Sequence, residues 1–252
     1  MKICYIKLIN KEKKKDIFVL SALILALLTL IGTTARAANA VLVSASGDIH
    51  TYAQTVIIDP GHGGEDPGAI GVNGALEKDL NLSIAKTVGK ALAENGFNVI
   101  YTREDDRLLY KPEENVKGIR KISDLKNRCA IGNNSPDAIF ISIHMNSFGS
   151  EKYSGTEVYY SKNNPESKLL AQTVQNSVSL SLQPNNKRAV KEGGKVYLLE
   201  NLNTTAILIE CGFLTNKEEC SRLCEKEYQK NLSFAIVCGI IEYVETKNHT
   251  ED

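Results

Sequence analysis

The chain has 252 residues with 30 basic and 30 acidic side chains, and that balance hides an asymmetry. Seven of the basic residues and two of the acidic ones lie before Ala37, leaving 23 against 28 in the rest, a net of −5. An acidic remainder excludes a general nucleic-acid binder, which carries a basic surplus, and the roughly 210 residues beyond Ala40 suffice for one domain with a sizeable core.

The N-terminus reads as a targeting segment. Lys2, Lys7, Lys11, Lys13, Lys14 and Lys15 precede an apolar run from Ile17 to Ile31, and two small-residue cleavage patterns follow, Ala35-Arg36-Ala37 and Ala38-Asn39-Ala40. The apolar run is shorter than the ~20 residues of a stable span. Residues 1–40 are therefore read as a secretory signal peptide, with a retained N-terminal membrane anchor as the alternative. Either way the rest of the chain is exported, and any membrane attachment is through that segment. Residues 41–54 read as a connector, 55–245 as the catalytic domain and 246–252 as a polar tail.

Val56–Asp59 is predicted as a strand, followed by a Gly-rich loop over 61–75. Leu76, Leu80, Ile84, Val88 and Leu92 recur every fourth residue, and Asn95-Gly96 stops the run, which predicts an amphipathic helix. Phe97–Thr102 is the second strand and 104–118 a long charged loop. A helix is predicted over Ser123–Asn133 with Ser123 as its N-cap, then a turn at Ser135-Pro136-Asp137. Ala138–Ile143 is a strand apolar on both faces, as central parallel strands are. Gly155–Tyr160 is the fourth strand and Pro165–Leu182 a helix. Residues 183–194 form a polar loop, and Val196–Leu199 and Ala206–Glu210 are two more strands. From Asn216 to Val244 the pattern is helical with one break near Lys226–Tyr228. The alternation predicts a single α/β domain with a twisted, mainly parallel sheet of about six strands flanked by helices. In such sheets ligands sit beyond the carboxyl ends of the strands, where Asp59, His144 and Glu210 all fall.

Two of the chain's four histidines stand at strand ends: His62, inside Asp59-Pro60-Gly61-His62-Gly63-Gly64, and His144, inside Ile143-His144-Met145-Asn146. Glu77 stands at a helix start. Two imidazoles, one carboxylate and a water make a donor set suited to zinc with an open position. Glu210 closes the apolar run Ala206-Ile207-Leu208-Ile209. A carboxylate there is costly to ionise, so its pKa should rise, as suits a general base near neutral pH. Five cysteines lie beyond the signal, Cys129, Cys211, Cys220, Cys224 and Cys238, and they read as small buried thiols rather than disulfides or metal ligands.

Four segments together carry a resemblance: Pro60-Gly61-His62-Gly63-Gly64, Glu77-Lys78-Asp79-Leu80-Asn81-Leu82, Ser142-Ile143-His144-Met145-Asn146 and Ile209-Glu210-Cys211-Gly212-Phe213-Leu214-Thr215-Asn216. In this order and spacing, over about residues 55–245, the chain resembles the zinc-dependent N-acetylmuramoyl-L-alanine amidases of the amidase type 3 family. The resemblance implies one Zn2+ held by His62, Glu77 and His144, and Glu210 as the catalytic carboxylate. It implies hydrolysis of the amide joining N-acetylmuramic acid to L-alanine in peptidoglycan. It also points to Arg188 and Asn146 as substrate contacts and to Arg128 as structural. Thr205 and Cys211 depart from the family's usual proline and apolar residue, and Cys211 raises the question of oxidation beside the site.

A single module with Arg188-Ala189-Val190-Lys191 before Tyr197-Leu198-Leu199 looks like the germination-specific, spore-cortex branch, whose product leads to muramic-δ-lactam. The exported chain would then act in the cell envelope, the forespore intermembrane space included. The rival readings are another zinc peptidoglycan hydrolase, a peptidase or deacetylase, and a non-catalytic wall-binding protein that keeps the zinc site. The expected partners are peptidoglycan strands with their stem peptides and an envelope activator such as a lipoprotein, docked on the loop 104–121 or 183–194; nucleic acid is not expected.

Overall fold

A computed structural model describes Tyr52 and residues 54–251, so the predicted signal segment lies outside the described residues. The elements are β1 (Thr55–Pro60), α1 (Glu77–Glu94), β2 (Asn98–Tyr101), α2 (Arg120–Asn133), β3 (Ile139–Asn146), β4 (Glu157–Tyr160), α3 (Glu166–Ser181), β5 (Lys191–Glu192), α4 (Tyr197–Asn201), β6 (Thr205–Phe213), α5 (Lys217–Cys224) and α6 (Lys226–Glu251). The sheet order is β2-β1-β3-β6-β4-β5. All pairings are parallel except β4 with β6. This is the single α/β domain that the alternation of strands and helices predicts. Among the described residues no helix is long and apolar enough to cross a membrane.

The period-2 alternation of the central strands sorts side chains onto two unlike faces. Ile139, Ile141, Ile143 and Met145 of β3, with Ile207, Ile209 and Cys211 of β6, enter a large core shared with apolar residues of α1, α3 and α6. Phe140, Ala206 and Leu208 enter a smaller core with Leu198, Leu199 and Leu202. The same parity puts Ser142, His144 and Glu210 on the lightly covered face. That thin cover leaves room for a site at the strand ends.

Four sequence expectations change. Val196–Leu199 is no strand: its apolar residues lie in or beside the short helix α4, with Leu198 and Leu199 facing the smaller core. The sixth strand is instead the two-residue β5, Lys191–Glu192. α2 begins at Arg120 without a side-chain cap, and Ser123 sits one turn inside, its hydroxyl donating to Glu114. β3 does not stop at Ile143 but carries His144 within the strand. α6 continues to Glu251, across the segment read as a tail.

Candidate metal centre

β1 delivers the chain into Gly61-His62-Gly63-Gly64, and the loop turns sharply. His62 adopts φ +60, a left-handed conformation that costs free energy for a residue with a Cβ. Two buried arginines hold it there. Arg128 donates to the carbonyls of Pro60 (2.7 Å) and His62 (2.8 Å). Arg103 donates to Pro60 (2.9 Å) and Gly61 (2.9 Å). Arg128 is neutralised by Asp59 (2.6 Å) and Asp124 (2.8 Å). Burial alone would raise the Asp59 carboxyl. Arg128, with hydrogen bonds from Ser142 and Thr102, outweighs burial and lowers it. Asp59 is thus at the strand end as expected but serves the loop, not the metal. Arg128 is structural, as read.

Glu77, the first residue of α1, is buried between the two histidines. Its Oε1 lies 3.2 Å from His62 Nε2 and 2.9 Å from His144 Nδ1. One ligand atom from each of the three residues lies within 4.8 Å of the others. Met145 N donates to Oε1 (3.0 Å) and Ala69 N to Oε2 (2.7 Å). Burial pushes the carboxyl up, but the hydrogen bonds and charges of His144 and His62 overcome it and hold Glu77 well below the usual carboxylate range. Two glycines make the close approach possible. A Cβ on Gly61 would lie 2.2 Å from the His144 ring, and one on Gly68 would lie 2.5 Å from Glu77 Oε2.

Glu210 faces His144 directly across the β3–β6 pairing, and Glu157 of β4 faces Glu210 on its other side. Glu210 Oε2 is buried with no hydrogen-bond partner among the described residues. Burial is the main reason its carboxyl is pushed up to about 7; Glu77 and Glu157 add to the rise, while His144 and His62 oppose it. An orphaned carboxylate oxygen beside two imidazoles and a carboxylate fits a site for a cation and its water, so the residues present suit zinc. Glu157 is not orphaned: Lys191 lies at 2.5 Å and Arg188 at 3.4 Å. Arg188 therefore reaches the site's edge rather than standing free in its loop, and Asn146 ends β3 two residues beyond His144. Cys211 is fully buried on the opposite face, where burial raises its thiol, so it does not reach the site.

Three participants were missed from sequence. Asp66 accepts from His62 Nδ1 at 2.9 Å, leaving Nε2 toward Glu77, and is itself paired with Lys121 at 3.1 Å. Arg103 and Glu157 are the others. A carboxylate four residues after a candidate ligand was the available signal for Asp66.

The family profile described as N-acetylmuramoyl-L-alanine amidase matches residues 56–242. The chain belongs to this family. The germination-specific N-acetylmuramoyl-L-alanine amidase of Bacillus subtilis (strain 168) is 37% identical over 194 residues, covering 76% of this chain and 80% of that protein. The CwlD amidase from Clostridioides difficile, solved in complex with the GerS lipoprotein, matches with a TM-score of 0.73 and 40% identity over 77% of this chain and 99% of that one. AmiC2 of Nostoc punctiforme, also an N-acetylmuramoyl-L-alanine amidase, matches with a TM-score of 0.66 and 32% identity over 76% of this chain and 97% of that one. This amidase is a hydrolase of peptidoglycan amide bonds and is closely related to the germination-specific enzymes.

Proposed function

We infer that the chain is an exported zinc amidase that cuts the bond between N-acetylmuramic acid and L-alanine, in spore cortex, ahead of muramic-δ-lactam formation. The observation that carries the chemistry is the cluster of His62, Glu77 and His144 with Glu210 beside it. It unites a three-residue donor set with a carboxyl poised near neutral pH.

His62, Glu77 and His144 would hold the zinc, with Asp66 fixing the His62 ring so that Nε2 is free for it. A zinc ion bound there would supply Lewis acidity, acidifying water and polarising the scissile carbonyl. Glu210 takes the proton of the attacking water. It then returns a proton to the leaving alanine nitrogen, one carboxyl serving as base and acid in turn. Arg188, held beside Glu157, offers a cation to a carboxylate of the stem peptide, and Asn146 offers an amide at the end of the same strand.

The spore-cortex assignment follows from similarity to a germination-specific relative. A lipoprotein partner is part of the same reading, since a 40% identical amidase was solved with one. The test is to load the protein with zinc, incubate it with peptidoglycan and identify the new ends by mass. Free stem peptides beginning with L-alanine are expected. Released acetate, or cuts inside the stem, would assign a deacetylase or peptidase instead. Zinc binding without turnover would assign a wall-binding protein.

A further inference from the structure

The reactive face does not end at Glu210. After a β-bulge, Asn146 lies opposite Phe213, about 7 Å further along β3 at 3.3 Å per residue. Phe213 is buried. The Arg188 guanidinium lies 4.9 Å from its ring centre, and Tyr153 stacks on it at 6.2 Å and 29°. Tyr153 meets Phe148 edge-on at 5.0 Å and 86°, and Lys152 Nζ lies 5.1 Å from the Tyr153 ring. Phe148 belongs to neither core and is 58% exposed. Its backbone is tied down by a hydrogen bond to Thr215 Oγ1 (3.3 Å). An aromatic row thus runs from the strand ends into solvent, flanked by two cations and beginning one step past the His144–Glu210 pair.

We propose that the exposed Phe148 ring, propped edge-on by Tyr153, is a pyranose-binding platform that holds the glycan strand beside the scissile muramoyl residue. This rests on the amidase reading. A pyranose has one face of C–H groups that an aromatic ring covers well, while its hydroxyl edges stay with polar neighbours. Aromatic rings provide such apolar area with little conformational freedom to lose. The row's size favours a sugar over a protein partner. Phe148 is 58% exposed, and Tyr153 is already partly covered by Phe213 and Lys152, so the open aromatic area is on the order of the ~150–250 Å² of one ring, whereas a stable protein interface takes about 800 Å² from each side. Its position favours a sugar too. A strand of linked sugars must pass the reacting carbonyl, and the row leads away from that point along one line.

The test uses Phe148→Ala, Tyr153→Ala and the double variant as zinc-loaded enzymes. Two substrates are compared: glycan strands carrying stem peptides, and muramoyl dipeptide, which lacks a neighbouring sugar. In the double variant, KM on strands should rise about 10-fold more than on the dipeptide, and Phe148→Trp should restore the single-site loss. Thermal melts show whether each variant is folded. Binding of a stem-free oligosaccharide of the glycan, titrated calorimetrically, reads the platform without catalysis. Equal changes on both substrates, or oligosaccharide binding that ignores both substitutions, would overturn the platform. If wild type cuts neither substrate, the amidase reading has failed, and the oligosaccharide titration alone decides the platform.

Discussion

Replacing Glu210 with Gln should separate catalysis from stability in opposite directions. The carboxyl ionises at about 7 in the folded protein against 4.5 ordinarily, a difference that corresponds to about 3 kcal/mol. The sign follows from which state ionises first. Below pH 4 the carboxyl is neutral in both states and the substitution changes nothing. Between about pH 4.5 and 7 the unfolded chain releases its proton while the folded chain keeps it, so wild type loses stability as pH rises. Above 7 the folded carboxyl is ionised as well, and the deficit stays at its full value. Metal-free Glu210→Gln should therefore be more stable than metal-free wild type by up to about 3 kcal/mol at pH 8 and equal to it at pH 4. Gln keeps the shape and removes the charge whose Oε2 has no partner.

Chelator-treated proteins unfolded in urea from pH 4 to 8.5 would measure the gap. Added zinc should shrink it, because a cation beside the carboxylate favours ionisation. Activity should move the other way, with the zinc-loaded variant losing roughly 100-fold or more in kcat, the scale of a general-base contribution. Parallel pH–stability curves for the two proteins would refute the argument that burial raises Glu210. Near wild-type turnover would place the base elsewhere.

Other outcomes are as direct. Asp66→Asn should weaken zinc binding by about 10- to 100-fold, since an amide fixes the His62 ring less firmly than a carboxylate; competition with a chromophoric chelator measures it, and unchanged affinity would mean the loop alone orients the ring. Gly61→Ala puts a methyl 2.2 Å from the His144 ring, so it should lower stability by about 1–3 kcal/mol and displace a ligand; full zinc stoichiometry by metal analysis would contradict this. The five described cysteines are all free, so reductant should leave the melting temperature unchanged, and a drop on reduction would reveal a disulfide constraint.

The centre was legible where one residue type and one position had to coincide. Glu77 opens a helix and His62 lies in the loop just beyond β1, while His144 and Glu210 lie in the carboxyl-terminal halves of β3 and β6, where period-2 alternation places both on one face. What sequence hid was partnership across distance. Nothing local says that Arg128 spans to Asp59 and the His62 carbonyl, or that Arg103 ties the same turn. Glu157 looked like an ordinary strand residue until the antiparallel pairing set it opposite Glu210. Val196–Leu199 misled because a four-residue apolar run cannot reveal its period. Ser123 misled because a hydroxyl near a helix start can bond a distant carboxylate instead of capping.

The two buried arginines explain how a strained loop and an open site coexist. A metal centre that admits a polymer must be exposed on one side, so packing cannot fix its ligands there. The loop is fixed from beneath instead: Arg128 and Arg103 satisfy the Pro60, Gly61 and His62 carbonyls, and Asp59 balances the charge at the end of β1. Removing one partner of such a pair leaves an uncompensated buried charge, typically a loss of about 3–5 kcal/mol, so the pair and the turn it holds stand or fall together. The His62 conformation at φ +60 is then a consequence of the carbonyl geometry the arginines impose. The glycines at 61 and 68 leave the space into which His144 and Glu77 advance.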